Sequence, residues 1–171
     1  MSPLDPHFAI KGKGFSLIEV LVALFVLSIG LLGLAALQTT GLKLNHQSYE
    51  RTQATLQAYD IIDRMRTNKS GTGGAVNSTY DSVSLGSAPG TTDCATTSCS
   101  GTQLAEYDIR QWNNANAGML AEGRGAICKG TFTNDANNYP TGCSQSGSIY
   151  RIAITWKEND LYMRQDVDAQ L

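Results

Sequence analysis

The stretch that decides the fold lies at residues 12–25, which read GKGFSLIEVLVALF, and its apolar character continues as far as Leu37. Between Phe15 and Leu37 the only ionisable side chain is that of Glu19. At a helical rise of about 1.5 Å per residue, this segment spans roughly 34 Å, which is enough to cross the hydrocarbon core of a bilayer. The sequence therefore predicts a helix whose first half is embedded in a membrane.

The residues that flank this run indicate its orientation. Lys11 and Lys13 precede it, and basic residues tend to stay on the cytoplasmic side of a membrane. A cleaved secretory signal has an apolar core of only about 7–15 residues, which is shorter than this run. On these grounds alone, an uncleaved signal anchor with the rest of the chain outside the cytoplasm is the simplest interpretation.

Glu19 is the feature that a simple anchor does not explain. A carboxylate inside a membrane span costs on the order of 2.5–3.5 kcal/mol on insertion scales, so such an acid usually has a function and a positively charged partner. The run itself contains no cation. Because an unpaired buried charge destabilises by about 3–5 kcal/mol, Glu19 would favour only a docking position that supplies a cation.

Gly14, Phe15 and Glu19 resemble the processing site of type IV prepilins. In that family a membrane peptidase cuts after the glycine and methylates the new N-terminal amine. The resemblance implies that residues 1–14 are a prepilin leader, that the mature chain begins at N-methylated Phe15, and that Glu19 is its fifth residue. The cation for Glu19 would then be the ammonium of Phe15 on a neighbouring subunit, and this ion pair would set the register of filament assembly.

The resemblance extends over most of the chain and is strongest over residues 14–68. The segments FSLIEVLVALFVLSIGLLGLAALQ, QATLQAYDIIDRMRTN, CSGTQLAEYDIRQWNNA, GRGAIC and ITW are similar to minor type IV pilins of the PilV type. This implies a structural subunit that primes and assembles the type IV pilus, with neither enzymatic activity nor a cofactor. A pseudopilin of a type II secretion system shares the cleavage site and the glutamate and is the alternative. A signal-anchored periplasmic binding protein is the third class.

The resemblance also implies partners and a location. The partners are other minor and major pilins, the prepilin peptidase, the assembly platform of the bacterial inner membrane and a tip adhesin. The chain would cross that membrane once, with its head in the periplasm, and later enter the pilus fibre at the cell surface. Nucleic acid is not an evident partner, because 11 basic and 13 acidic residues follow Leu42 without a basic block.

Residue types suited to catalysis or metal binding are scarce. His7 lies in the expected leader and His46 on the polar face of the long helix, and the acidic residues are scattered. Amide and carboxylate oxygens within residues 134–138 could ligate calcium, although a solvated turn is the simpler interpretation. We therefore expect neither an enzyme nor a metal site.

One long helix is the economical interpretation of residues 15–69, because no proline occurs between Pro6 and Pro89. Residues 15–41 would form its transmembrane half and residues 42–69 an amphipathic half that packs on the head. The stripe expected to enter the core consists of Tyr49, Leu56, Tyr59, Ile62 and Met65. The polar residues expected to face elsewhere are Glu50, Arg51, Gln57 and Asp60.

Asn68 and Gly71 are residues that can end this helix. The head would follow as residues 70–171, beginning with a long loop over residues 70–102 that contains one short strand near Tyr80 to Leu85. A short second helix is expected over about 103–121. Its capping box consists of Ser100 and Gln103, and its inner face of Leu104, Asp108, Trp112, Ala115 and Met119.

The final part of the head has the alternation of a small antiparallel sheet over residues of about 125–168. One strand is expected in AICKGTF, and two more on either side of a turn at Asn159 and Asp160. The fold class is therefore α+β and type IV pilin-like: a long N-terminal helix packed on a small antiparallel sheet, with a short second helix and disulfide-closed loops.

Four cysteines lie in the head, an even number that favours disulfides in an oxidising compartment. Three pairings are possible. We expect Cys94 to pair with Cys99 and Cys128 with Cys143, because short loops close at low entropic cost. A zinc site is the alternative, but the spacings are not of the paired C-x-x-C type and no histidine lies near them.

Overall fold

The computed structural model describes residues 14–70 and 74–171, so residues 1–13 of the expected leader and the expected helix stop Gly71 lie outside the described residues. The chain divides into two compact units, and the boundary falls between Asn45 and His46. The helices are α1 (Leu17–Thr67) and α2 (Gly101–Met119), with one 3-10 turn at Ser78–Tyr80. The strands are β1 (Lys69–Ser70), β2 (Ala75–Val76), β3 (Ser82–Val83), β4 (Arg124–Lys129), β5 (Phe132–Asn134), β6 (Pro140–Cys143), β7 (Ile149–Glu158) and β8 (Leu161–Gln170).

The second unit contains a four-stranded antiparallel sheet in the order β3-β4-β7-β8. Strand β7 contributes Tyr150, Ile152, Ile154 and Trp156 to the inner face of this sheet, where these side chains point into the core at every second position. The predicted turn at Asn159 and Asp160 is confirmed: both residues have positive φ, and Glu158 pairs with Leu161 across them. This two-residue connection matches the right-handed twist of the flanking strands.

The part of α1 that belongs to the second unit packs through small residues. Its buried side is made of Glu50, Ala54, Ala58, Ile61, Ile62 and Met65. The predicted stripe is therefore right for Ile62 and Met65 and wrong for the other three members, since Tyr49, Leu56 and Tyr59 are exposed. The alanines allow the helix to approach the core closely, and the helical repeat places Tyr49, Leu56 and Tyr59 on the opposite side of the helix.

The capping box at the start of α2 is confirmed, with Ser100 and Gln103 each accepting a hydrogen bond from the other's backbone N–H. Of the expected inner face, Asp108 and Trp112 are buried, Leu104 and Ala115 are half-buried, and Met119 is exposed. The buried side instead adds Ala105, Ile109, Asn113 and Asn116. Trp112 anchors α2 to α1, because its Nε1–H donates to the backbone carbonyl of Gln57 at 2.8 Å.

The expected strand AICKGTF is interrupted at Gly130, which has φ +112°. This positive φ turns the chain away from the sheet, and a side chain at position 130 would collide with the Ser146 carbonyl. The residues that follow form a separate hairpin, β5 with β6, that the sequence did not reveal. The expected long loop over 70–102 contains the predicted short strand as β3, and it is further shortened by the β1–β2 pair and the 3-10 turn.

The structure contains the disulfides Cys94–Cys99 and Cys128–Cys143. The first closes a small loop before α2, and both of its cysteines are half-buried. The second joins β4 to β6 and therefore fastens the extra hairpin to the sheet, with Cys128 fully buried. The described fold is α+β, with a long apolar N-terminal helix, an antiparallel sheet, a second helix and disulfide-closed loops.

Ile61→Ala should lower the free energy of unfolding of the second unit by about 2–5 kcal/mol, because Ile61 is fully buried and its truncation leaves a cavity. Leu56→Ala is the matched control on the same helix, with an expected change within about 0.5 kcal/mol because Leu56 is exposed. Thermal unfolding of the full chain in detergent measures both. Equal losses would contradict the assignment of the buried side of α1.

Candidate functional site

Gly14, Phe15 and Ser16 lie immediately before the first residue of α1 and are not helical. The carbonyl of Ser16 accepts hydrogen bonds from the backbone N–H groups of Glu19 at 3.0 Å and Val20 at 3.3 Å, which begins the helix. Glu19 therefore lies in the first turn, where a carboxylate is favoured by the helix dipole. The Phe15 side chain is 82% exposed.

The bond between Gly14 and Phe15 lies in backbone that the fold does not constrain. A Cβ added to Gly14 would meet nothing within 4 Å, and no left-handed conformation requires glycine there. A protease binds its substrate in an accessible, non-helical segment, which this position provides. The described fold would accept a side chain at position 14, so any need for glycine there comes from outside the folded chain.

The residues after Glu19 present an uncovered apolar surface. Within the described part of the chain, α1 is the one helix long and apolar enough to cross a membrane. Its most apolar 18-residue stretch has no buried residue, whereas the core helix of a soluble protein would be mostly buried. The exposed residues include Leu17, Leu21, Leu24, Phe25, Ile29, Leu31, Leu34 and Leu37.

A polar bracket of Arg64, Tyr80 and Asp108 holds the end of α1 to α2. Asp108 is buried and accepts hydrogen bonds from Arg64 Nη1 at 3.3 Å and from the Tyr80 hydroxyl at 2.7 Å. Burial raises the pKa of Tyr80, and the hydrogen bond to Asp108 adds to this effect, so the phenol remains a donor. Asn68 adds a link from its amide to the Gly101 carbonyl at 2.7 Å.

Sequence reasoning missed the polar bracket, although it placed Asp108 on the inner face of α2. An acid among core positions was the available signal, because a buried carboxylate needs hydrogen-bond donors. Glu50 is a second buried carboxylate that sequence reasoning missed: it was expected to face away from the core, but it is buried. His46 Nδ1 lies 3.5 Å from Glu50 Oε1, and Glu50 Oε2 has no hydrogen-bond partner among the described residues.

No group of three or more histidine, cysteine or acidic side chains that could hold a metal occurs within residues 14–70 and 74–171. In the turn at residues 134–138, Asp135 Oδ1 accepts hydrogen bonds from the backbone N–H groups of Asn137 at 2.9 Å and Tyr139 at 2.8 Å. The side-chain amide of Asn134 donates to Asn138 Oδ1 at 3.2 Å. These polar groups organise the turn itself.

Two family models match the chain. Residues 11–35 match the prokaryotic N-terminal methylation motif, and residues 36–110 match the Tt1218-like model, described as type IV pilin Tt1218. No curated protein and no solved structure matches the chain. The two matches adjoin, and together with the α+β fold they support a type IV pilin or pseudopilin role, in which an N-terminal apolar helix anchors the chain in a membrane and associates with other pilins.

Asp108→Ala should lower the free energy of unfolding by about 1–3 kcal/mol, because it leaves the buried Tyr80 hydroxyl without its acceptor. Asp63→Ala is the matched control, with an expected loss below about 0.5 kcal/mol, because the Asp63 side chain is 71% exposed and its ion pair with Arg66 lies at the surface. Thermal unfolding of the full chain measures both changes. A loss of unfolding free energy no larger for Asp108→Ala than for Asp63→Ala would contradict a stabilising role of the polar bracket.

Proposed function

We propose that the chain is a minor type IV pilin of the PilV type, a structural subunit that primes and assembles the pilus. The observation that carries the proposal is the order of features at the start of the chain. Gly14 and Phe15 stand outside the helix, Glu19 lies in its first turn, and an uncovered apolar helix follows. A soluble enzyme would have no use for an apolar helix of this length that its own chain leaves uncovered.

In this proposal the prepilin peptidase hydrolyses the bond between Gly14 and Phe15 and methylates the freed amine of Phe15. The non-helical backbone on both sides of this bond supports the first step, because a protease can bind it without unwinding α1. The match to the methylation motif covers the same residues. The mature chain then begins two residues before the helix.

The proposed orientation has residues 1–14 in the cytoplasm and the second unit in the periplasm. Lys11 and Lys13 support it through the tendency of basic residues to remain inside. The disulfides Cys94–Cys99 and Cys128–Cys143 support it as well, because such bonds persist in an oxidising compartment and not in a reducing cytosol.

Assembly would pair Glu19 with the ammonium of Phe15 on a neighbouring subunit. A carboxylate left alone among apolar helices is costly, so the subunit is stable only at the position where that ammonium is supplied. The apolar part of α1 moves from lipid to the surfaces of neighbouring helices, and the two environments are similarly apolar. The hydrophobic cost of the transfer is therefore small, and the ion pair determines the position.

In this proposal the second unit determines which partners the chain binds. The partners are other minor and major pilins and the assembly platform of the inner membrane, and the destination is the fibre at the cell surface. A pseudopilin of a type II secretion system would use the same N-terminal segment. The two functions differ in the filament that contains the chain. Detection of the chain in purified pili therefore distinguishes a pilin from a pseudopilin.

Glu19→Ala should reduce the amount of the chain in sheared pili by about tenfold or more, because the apolar contact loses the ion pair that determines register. The level of the chain in the inner membrane should stay unchanged. Quantitative immunoblots of the pilus and membrane fractions measure both. Glu19→Gln should behave like Glu19→Ala, because it keeps the size of the side chain and removes its charge.

Ser16→Ala is the matched control for these variants. It changes a neighbouring side chain without altering charge, and the role of Ser16 at the helix start uses its backbone carbonyl, which alanine retains. Its incorporation should equal that of the unmodified chain. Incorporation of Glu19→Gln at the unmodified level would show that the charge has no part in assembly.

A further inference from the structure

Strand β8 forms the long edge of the four-stranded sheet. It pairs with β7 in continuous antiparallel register over its ten residues, from Leu161 to Gln170. Within residues 14–70 and 74–171, no strand pairs with its other side. The opposite edge of the sheet is β3, which has only two residues. Unpaired backbone groups are therefore concentrated along β8.

Hydrogen bonds at the two ends of β7 show how its backbone groups are directed. The Gly130 N–H donates to the Ile149 carbonyl at 2.8 Å, and the Lys157 N–H donates to the Ala121 carbonyl at 2.8 Å. Both partners lie next to the ends of β4. Because backbone groups alternate in direction along a strand, the odd-numbered residues of β7 face β4 and the even-numbered residues face β8.

The register with β7 then identifies the backbone groups on the open side of β8. Ile152 pairs with Val167, so the odd-numbered residues of β8 bond to β7 and the even-numbered residues face away from it. The Asp166 carbonyl agrees with this assignment, because it accepts a hydrogen bond from the Gln165 side chain at 3.2 Å. We name the backbone groups of the even-numbered residues the open edge: Tyr162, Arg164, Asp166, Asp168 and Gln170.

The open edge lacks several devices that keep strand edges from pairing. Strand β8 contains no proline and no lysine, and its register shows no bulge. Its charged side chains all belong to even-numbered residues, so they lie on one face of the sheet and leave the edge itself accessible. An extended segment can therefore add to the sheet as a fifth strand.

The outer face of the sheet beside the open edge presents negative charge. The side chains of Asp166 and Asp168 are 43% and 48% exposed, whereas those of their partners Arg164 and Arg151 are 11% and 33% exposed. The hydrogen bond from Arg151 lowers the pKa of Asp168, so this carboxylate is ionised at neutral pH. A strand that approaches the edge therefore meets carboxylates more than guanidinium groups.

The inner face of the sheet beside the open edge is apolar. Met163, Val167 and Leu171 pack against the core but are only partly buried. Side chains of an added strand on this face would cover the remaining apolar surface. Successive side chains of a strand alternate between the two faces, so the two faces together select a strand of alternating character.

We propose that the open edge of β8 binds an extended segment of a partner protein in which basic and apolar side chains alternate. The segment runs antiparallel to β8, the more stable pairing. Its basic side chains lie opposite Asp166 and Asp168, and its apolar side chains lie beside Met163 and Val167. This inference goes beyond the proposed function and holds whichever filament contains the chain.

The antiparallel arrangement has a specific consequence for the backbone. A residue directly opposite Asp166 or Asp168 exchanges both backbone hydrogen bonds with it, because these residues direct their own groups to the open side. The basic residues of the bound segment therefore also supply its backbone hydrogen bonds. The apolar residues direct their N–H groups away from β8.

The test uses a fluorescent ten-residue peptide of alternating lysine and valine and the full chain in a non-ionic detergent. Fluorescence anisotropy measures its affinity. N-methylation of all lysines should weaken binding by at least about tenfold, because it removes the N–H donors that face β8. N-methylation of all valines should leave the affinity within about twofold, because those N–H groups point away from the edge.

Equal effects of the two N-methylated peptides would overturn strand pairing, and the reverse order would overturn the antiparallel arrangement. Absence of binding by the unmethylated peptide would overturn the inference as a whole. None of these results bears on processing after Gly14 or on assembly, so failure of this inference is distinguishable from failure of the proposed function.

A matched pair of double variants tests the contribution of charge. Asp166→Asn with Asp168→Asn should weaken binding of the lysine–valine peptide by about tenfold, because two cross-strand ion pairs are lost. Asp63→Asn with Asp93→Asn removes the same net charge from exposed positions elsewhere and should leave the affinity unchanged. Equal losses in the two double variants would contradict recognition at β8.

A photo-crosslinking phenylalanine derivative at position 170 locates the bound peptide. Gln170 is exposed at the open edge, and Gln111, exposed on α2, is the control position. Crosslinking to the peptide should be at least about tenfold greater from position 170 than from position 111. Equal yields, or products from position 170 that join two copies of the chain in place of the peptide, would overturn the inference.

Discussion

The first half of α1 carries an apolar surface that the described chain does not cover. The proposed function depends on which environment, lipid or neighbouring helices, covers that surface. A leucine side chain left in water forgoes about 1.5–3 kcal/mol, and this segment exposes many of them. Lipid and neighbouring helices are the two environments that remove this cost. Lipid and neighbouring helices are nearly equivalent for apolar side chains, so another interaction has to distinguish one assembled position from the next. Glu19 is the only ionisable group in the segment that can do so.

Within the second unit, several contacts fix the C-terminal part of α1 to the rest of that unit. Alanines at positions 54 and 58 let the helix approach the core closely, and Trp112 bonds to its backbone at Gln57. The bracket around Asp108 fastens its last turns. A helix held in this way keeps its outward side in a constant orientation relative to the sheet of the same unit.

Much of this arrangement was accessible from the sequence, and the exceptions have physical causes. The apolar run, the capping box at Ser100 and the turn at Asn159 depend on local chemistry, so their patterns were sufficient. The buried side of α1 differs from the prediction because bulky residues such as Tyr49 define the predicted stripe, whereas close helix packing selects small ones. The β5–β6 hairpin depends on contacts distant in sequence, including those that make a side chain at Gly130 unacceptable.

The most direct test of the central claim is the intact mass of the protein from its native membrane fraction, combined with mapping of its N-terminal peptide. The account predicts a chain that starts at N-methylated Phe15, with the carboxylate of Glu19 four residues further on. A chain that still carries residues 1–14, in cells that process other prepilins, would contradict it. The apolar helix would then be a permanent anchor, and the second unit would remain a periplasmic domain outside any filament.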